Sequence, residues 1–157
     1  LPYNVGTKML IMWLKYIKNF DLLTLMFQKE VAERIIAKTN TSNYGRLSII
    51  CNWKLNIKKI CDIKPEAFSP KPKIDSTLLF FYPKKNFFKI KDPKNLEKIT
   101  RIFFSNRRKM IKKPYNQIFN GNLIVLEKLK INLNLRPQNL SCETYLKLTQ
   151  EYEKLTS

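Results

Sequence analysis

The sequence predicts an α/β unit followed by a small all-helical one, and three observations carry that reading. Apolar residues first recur in the order helix, strand, helix, helix, strand, strand. The composition then shifts after about Lys85. Beyond that point the apolar positions fall at helical spacing nearly to the C-terminus.

Residues 7–17 are apolar apart from Lys8 and Lys15, which predicts a helix buried on most of its circumference, with Asn4 or Thr7 as N-cap. Residues 21–27 form a short, nearly continuous apolar run, as expected for a strand buried on both faces of a mostly parallel sheet. Val31, Ala32, Ile35 and Ile36 fall at helical spacing among Lys29, Glu30, Glu33 and Arg34. The polar residues 39–45 end that helix. Residues 46–53 fit helix or strand, with a short helix favoured, and residues 55–63 alternate as a strand does. Pro65, Pro70 and Pro72 prevent regular pairing, so residues 65–76 are expected to form a stiff extended loop. Residues 77–82 read as another strand, stopped by Pro83.

In the second unit, Leu96, Ile99, Ile102, Phe103 and Met110 predict one helix over residues 95–113, with Arg107, Arg108 and Lys109 late in it and Pro114 ending it. Leu123, Leu126 and Leu129 predict a second helix. A third starts at Ser141 as N-cap and carries Tyr145, Leu148, Tyr152 and Leu155.

The charge is lopsided: 30 Lys and Arg against 12 Asp and Glu give a formal net charge of +18 over 157 residues. Such a charge favours polyanions, and nucleic acid comes before a membrane surface because the cations are interleaved with aromatic residues. The longest apolar run, residues 9–14, is far too short to span a bilayer. Cys51, Cys61 and Cys142 are widely spaced and read as reduced core thiols of an intracellular protein. With no histidine, triad-type nucleophiles and His-ligated zinc are excluded. The chain opens without Met, on Leu1, and is expected to be part of a longer protein.

Two stretches could carry chemistry. Pro2 stiffens the backbone at the start of an apolar helix and Tyr3 offers a flat face for a base, although a proline-started helix with a packed Tyr fits as well. Phe68 lies in the proline-rich loop beside Lys71 and Lys73, an arrangement suited to holding an unstacked base next to phosphate. The alternative is a connector with Phe68 in the core. Asp75 suits a local cap or ion pair. Arg107, Arg108 and Lys109 fit either a solvated face or phosphate contact, the latter favoured by the overall charge.

Six blocks occur in order: Leu1-Pro2-Tyr3-Asn4, Gln28-Lys29-Glu30-Val31, Tyr44-Gly45-Arg46-Leu47-Ser48, Phe68 through Ser76, Phe104-Ser105-Asn106-Arg107-Arg108-Lys109, and Arg136-Pro137-Gln138-Asn139-Leu140-Ser141. Together they resemble the small-subunit ribosomal RNA adenine dimethyltransferases. The resemblance implies the C-terminal half of a class I, Rossmann-like methyltransferase domain over residues 1–85 and a helical RNA-binding domain over residues 86–157. It implies dimethylation of two adjacent adenines near the 3′ end of small-subunit ribosomal RNA, with S-adenosylmethionine as methyl donor. A cytoplasmic monomer acting on the pre-ribosomal small subunit is then expected, without membrane contact.

By the same resemblance Leu1, Pro2 and Tyr3 are catalytic: Leu1 offers its carbonyl to the target amine and Tyr3 stacks on the flipped adenine. Tyr3, Asn4 and Phe68 bind the substrate base, and Lys71, Lys73, Arg107, Arg108 and Lys109 bind RNA. The family's glycine-rich cofactor loop, acidic ribose-binding residue and motif Asn have no counterpart among these residues. Methylation by this chain alone is therefore not expected, and no cofactor-binding residue is assigned. The competing reading is a non-catalytic nucleic-acid-binding relative, like the mitochondrial transcription factors of this fold.

Overall fold

The computed structural model describes residues 2–157. Helix α1 (Gly6–Trp13) runs into a 3-10 segment, Leu14–Asn19, and then strand β1 (Leu23–Gln28). Helices α2 (Lys29–Ile36) and α3 (Arg46–Lys54) precede strand β2 (Leu55–Ile63) and strand β3 (Ser76–Pro83). Four further helices complete the chain: α4 (Pro93–Phe104), α5 (Lys112–Phe119), α6 (Leu123–Leu129) and α7 (Cys142–Leu155).

The described sheet has the order β1-β3-β2, and both pairings are antiparallel. This corrects the mostly parallel sheet. A continuous apolar run reports burial and not strand direction. Nor is β1 covered on both faces: Leu23 and Phe27 are buried, Leu25 and Met26 half-buried, and Thr24 exposed. β3 is flanked on both sides, with Leu79 and Phe81 inaccessible to solvent. On β2 the register slips between Lys59 and Cys61, so Ile60 bulges outward and Cys61 is exposed. Cys51 is the core thiol among the three, and burial pushes it up to about 12.

Helix α1 departs from its expected all-round burial. Gly6 and Leu10 are buried while Met12 is 52% exposed, and neither Asn4 nor Thr7 caps it; Val5 holds the cap position. Gly6 is needed for close approach, since a Cβ there would meet the Phe27 ring at 3.2 Å. Helix α2 follows its pattern, burying Ala32 and Ile35 and pairing Glu30 with Arg34 at 2.6 Å one turn apart.

The long helix over residues 95–113 is two helices. Asp92 caps α4 by accepting from the Lys94 N–H at 2.9 Å, and Pro93 takes the first position. The helix stops at Phe104, and Arg107, Arg108 and Lys109 lie in the turn that follows. Pro114 belongs to the first turn of α5, where its missing N–H leaves no bond unmade, so it starts a helix instead of ending one. Met110 is consequently exposed. α6 is capped by Asn122, and its buried residue is Val125, while Leu123 at 68% exposure faces solvent. Ser141 caps α7 as its sequence position indicates, accepting from the Thr144 N–H at 3.1 Å.

The buried apolar residues form one continuous cluster across both parts. Tyr145 packs against Phe103 and Phe104 at 5.6 Å between ring centroids, and Tyr44 meets Phe104 edge-on at 6.2 Å. Trp53 Nε1 donates to the Phe88 carbonyl at 2.7 Å.

Glu153, on the buried face of α7, accepts from the Lys91 N–H at 2.9 Å, the Asp92 N–H at 3.0 Å and Asn95 Nδ2 at 2.9 Å. Burial alone would raise its carboxyl, but these bonds together with the Lys91 charge outweigh that and hold it below the ordinary value. Replacing Glu153 by Ala should cost roughly 2–3 kcal/mol in urea unfolding, because three donors lose a charged acceptor. A depressed carboxyl stabilises fully above its unfolded-state value and loses that contribution as pH falls through the folded-state one. The gap between the native chain and Glu153→Ala should therefore close on acidification.

Candidate nucleic-acid and base-binding site

The residues singled out from sequence occupy two regions. The first lies at one end of the sheet. Ser76 opens β3 and pairs in register with both Gln28 of β1 and Ile63 of β2. The proline-rich loop, residues 64–75, leaves the sheet there. It contains a 3-10 turn, Pro65–Ala67, where a fully extended path is expected, and the Phe68 N–H bonds back to the Pro65 carbonyl at 3.1 Å. Phe68 is half-buried, so it is neither a core residue nor a free ring.

Ion pairs and hydrogen bonds pin the base of this loop. Lys64 pairs with Asp75 at 3.1 Å, giving Asp75 the local role expected of it, and the Lys29 N–H donates to the Asp75 carbonyl at 3.0 Å. Thr77 Oγ1 donates to Asp62 at 2.6 Å, and Asp62 also pairs with Lys59 at 2.9 Å. That hydroxyl first, then Lys59, hold the Asp62 carboxyl down at about 2. Lys71 is engaged with Glu66 at 2.8 Å, whereas Lys73 is exposed.

Tyr3 comes to the same end of the sheet. Its hydroxyl hydrogen-bonds to Ser76 Oγ, while the ring stays half-buried. Pro2 and Asn4 are exposed, and the Pro2 carbonyl accepts from the Val5 and Gly6 N–H groups at 3.2 Å each. Pro2 thus offers its acceptor to the start of α1. Leu1 lies outside the described residues.

The second region is where the helical part meets the α/β part. Arg107 Nη2 donates to the Tyr44 carbonyl at 3.1 Å and to Gln138 Oε1 at 3.2 Å. Tyr44, fully buried, donates its hydroxyl to the Leu140 carbonyl at 2.9 Å, and burial raises its phenol well above the ordinary value. Arg107 thus braces the junction, while Arg108 and Lys109 are exposed. Beside this brace, Arg34, Arg46 and Arg107 line a cleft of about 370 Å³ together with Ser42, Asn43 and Phe104. Arg34 and Arg46 are absent from the sequence-derived set. Each sits alone in its segment, and the fold, not a local charge run, brings them beside Arg107. A cavity of about 810 Å³ between Trp53, Ile57, Phe87 and Leu146 contains none of the predicted site residues.

Among the described residues no helix is long and apolar enough to cross a membrane, and no cluster of His, Cys, Asp and Glu could hold a metal ion. The three glycines form no cofactor cradle: Gly6 packs on Phe27, Gly45 precedes α3, and Gly121 occupies a turn at φ +71°.

The model of the family described as ribosomal RNA adenine dimethylase matches residues 1–154. The chain is 65% identical over 158 aligned residues to ribosomal RNA small subunit methyltransferase A of Pelagibacter ubique, covering 99% of this chain and 60% of that protein. It is 42% identical to the protein of the same name from Ehrlichia chaffeensis, covering 95% of this chain and 57% of the relative. The chain thus spans well under two thirds of the curated relatives it matches. Among solved structures, a dimethyladenosine transferase from Plasmodium falciparum superposes with a TM-score of 0.84 at 28% identity, covering 98% of this chain and 65% of that one. A 23S rRNA methyltransferase, ErmE, shares the fold with a TM-score of 0.63 at 16% identity, covering 98% of this chain and 63% of that one.

The brace and the exposed arginine beside it should behave differently. Arg107→Ala should lower stability by about 1–3 kcal/mol in denaturant unfolding, since it strands the buried Tyr44 carbonyl, whereas Arg108→Ala should stay within roughly 0.5 kcal/mol of the native chain.

Proposed function

Since the chain belongs to the ribosomal RNA adenine dimethylase family, we propose that it serves in dimethylation of two adjacent adenines near the 3′ end of small-subunit ribosomal RNA, with S-adenosylmethionine as donor. The family match over residues 1–154 carries this reading. The placement of Tyr3 and the Phe68 loop at one end of the sheet supports it. Residues 1–85 then belong to the catalytic domain and residues 86–157 to a helical RNA-binding domain, in a cytoplasmic monomer acting on the pre-ribosomal small subunit.

The donor, when bound, supplies an electrophilic methyl group on sulfur. The described residues do not fit a donor site, so that site is assigned to the remaining length that the relatives possess. What this chain contributes is the acceptor side. An adenine 6-amino group is a poor nucleophile because its lone pair is delocalised into the ring, so it must be held in a fixed attitude with acceptors facing its hydrogens. The base has to leave its stack to be reached, and an aromatic face can hold it there. Tyr3 provides one such face and Phe68 the other, with the Leu1 carbonyl as acceptor and Asn4 beside the base. Lys71, Lys73, Arg108 and Lys109 follow the RNA backbone, and the cleft of Arg34, Arg46 and Arg107 adds to that surface.

The test joins this chain to the upstream segment of the Pelagibacter ubique relative and follows methyl transfer to undermethylated small subunits. Tyr3→Ala and Phe68→Ala should each lower kcat/KM by roughly 5- to 150-fold, the equivalent of about 1–3 kcal/mol of stacking, without unfolding the protein. Full rates in both variants would overturn the base pocket.

RNA binding provides an independent check. Affinity of the chain for ribosomal RNA should fall steeply as salt rises, and Arg34→Ala or Arg46→Ala should reduce the slope of log K against log salt by about 1 each. Salt-independent binding would remove the surface assignment while leaving the base pocket standing.

A further inference from the structure

We propose that Ser76 is a positioning residue for the adenine site, locking Tyr3 into a ring-forward attitude and tying the two walls of the base pocket together. This rests on the dimethylation reading above and extends it to a residue that does not touch the base. Ser76 is fully buried, and its backbone is held by register pairs on both sides, Gln28 and Ile63. Its hydroxyl hydrogen-bonds to the hydroxyl of Tyr3, 73 residues away in sequence. Few side chains are so firmly placed: the central strand of a sheet fixes the Cα, and burial fixes the rotamer.

Three consequences follow. The polar tip of Tyr3 is turned to Ser76, so what the residue presents to a base is the face of its ring. The hydrogen bond removes rotation that the half-buried ring would otherwise retain, which pre-orders the stacking face. Ser76 is also the residue at which the Phe68 loop ends. The same position therefore sets where Tyr3 stands and where residues 64–75 depart, and the Lys64–Asp75 pair and the Lys29–Asp75 hydrogen bond stiffen the departure. Ser76 thus links Tyr3 to the point where the Phe68 loop rejoins the sheet.

The experiment compares Tyr3→Phe, Ser76→Ala and the double variant in the joined protein, measuring methyl transfer and the fluorescence of a 2-aminopurine placed at the target position. Each single variant keeps both rings and loses only the bridge. Each should lower kcat about five- to tenfold with KM for RNA nearly unchanged, as expected when one neutral hydrogen bond that orders a group is lost. The double variant should fall no further than either single one, and 2-aminopurine should be less quenched in all three. Full kcat in a folded Ser76→Ala, additive losses in the double variant, or a rise in KM alone would each overturn the proposal. If Ser76→Ala fails to fold, Tyr3→Phe decides, since its half-buried hydroxyl can be removed without opening the core: reduced kcat supports the bridge, and full kcat overturns it. Absence of methyl transfer in the unmodified protein would instead overturn the dimethylation reading, and this proposal with it.

Discussion

The structure depends first on β3 being hydrogen-bonded along both edges. A strand in that position can neither slide nor twist without breaking two ladders, and a slip of one residue would turn Leu79 and Phe81 out of the core. Burying each of those side chains is worth about 1.5–3 kcal/mol, so the register is strongly specified. Whatever departs from the ends of β3 inherits that rigidity. The proline-rich loop leaves from one end, with its first turn already closed by hydrogen bonds from Ala67 and Phe68. Prolines limit the remaining backbone freedom, so little entropy is left to lose when a ligand meets the loop.

The helical part is built onto this sheet through α3 and not through a flexible tether. Tyr44 is the pivot: its ring meets Phe104, its hydroxyl holds Leu140, and its carbonyl takes the guanidinium of Arg107. Lys54 adds a second tie, donating to the Leu14 carbonyl at 3.1 Å while its ammonium lies 4.4 Å from the Trp53 ring and 5.0 Å from that of Phe87. A basic surface assembled across such a junction has fixed geometry. Arg34 and Arg46 come from one part and Arg107 from the other, and Arg107 is the one hydrogen-bonded across the junction.

Much of this was legible in the sequence because it follows from short-range rules. Alternation placed β2, the spacing of Val31, Ala32, Ile35 and Ile36 marked α2, and Ser141 marked the start of α7 within a residue. The parts that were not legible depend on pairing or on competition between local signals. Strand direction leaves no trace in an apolar run, so the sheet read as parallel. The spacing of Leu96 to Met110 suits one helix, and nothing in it shows that Ser105 and Asn106 turn the chain. Charge was visible at Arg107, but its partners, Tyr44 and Gln138, lie 63 and 31 residues away in sequence. Ser76 stood at the end of a recognised block, yet a buried serine advertises no partner. Cys61 looked like a core thiol until the bulge at Ile60 turned it outward.

The opening motif shows how backbone geometry limits chemistry. The Pro2 carbonyl is committed to the Val5 and Gly6 N–H groups that begin α1, so turning it outward would leave a helix start unsatisfied. Under the dimethylation reading, the Pro2 carbonyl is therefore not free to meet the adenine amine. Proline has no N–H of its own to donate, and its carbonyl is taken up by the first N–H groups of α1. Tyr3, one residue on, has its hydroxyl drawn back to Ser76 and only its ring left to offer. One short stretch thus commits the Pro2 carbonyl and the Tyr3 hydroxyl to the fold, and under the dimethylation reading it is the ring of Tyr3 that is left for a flat base.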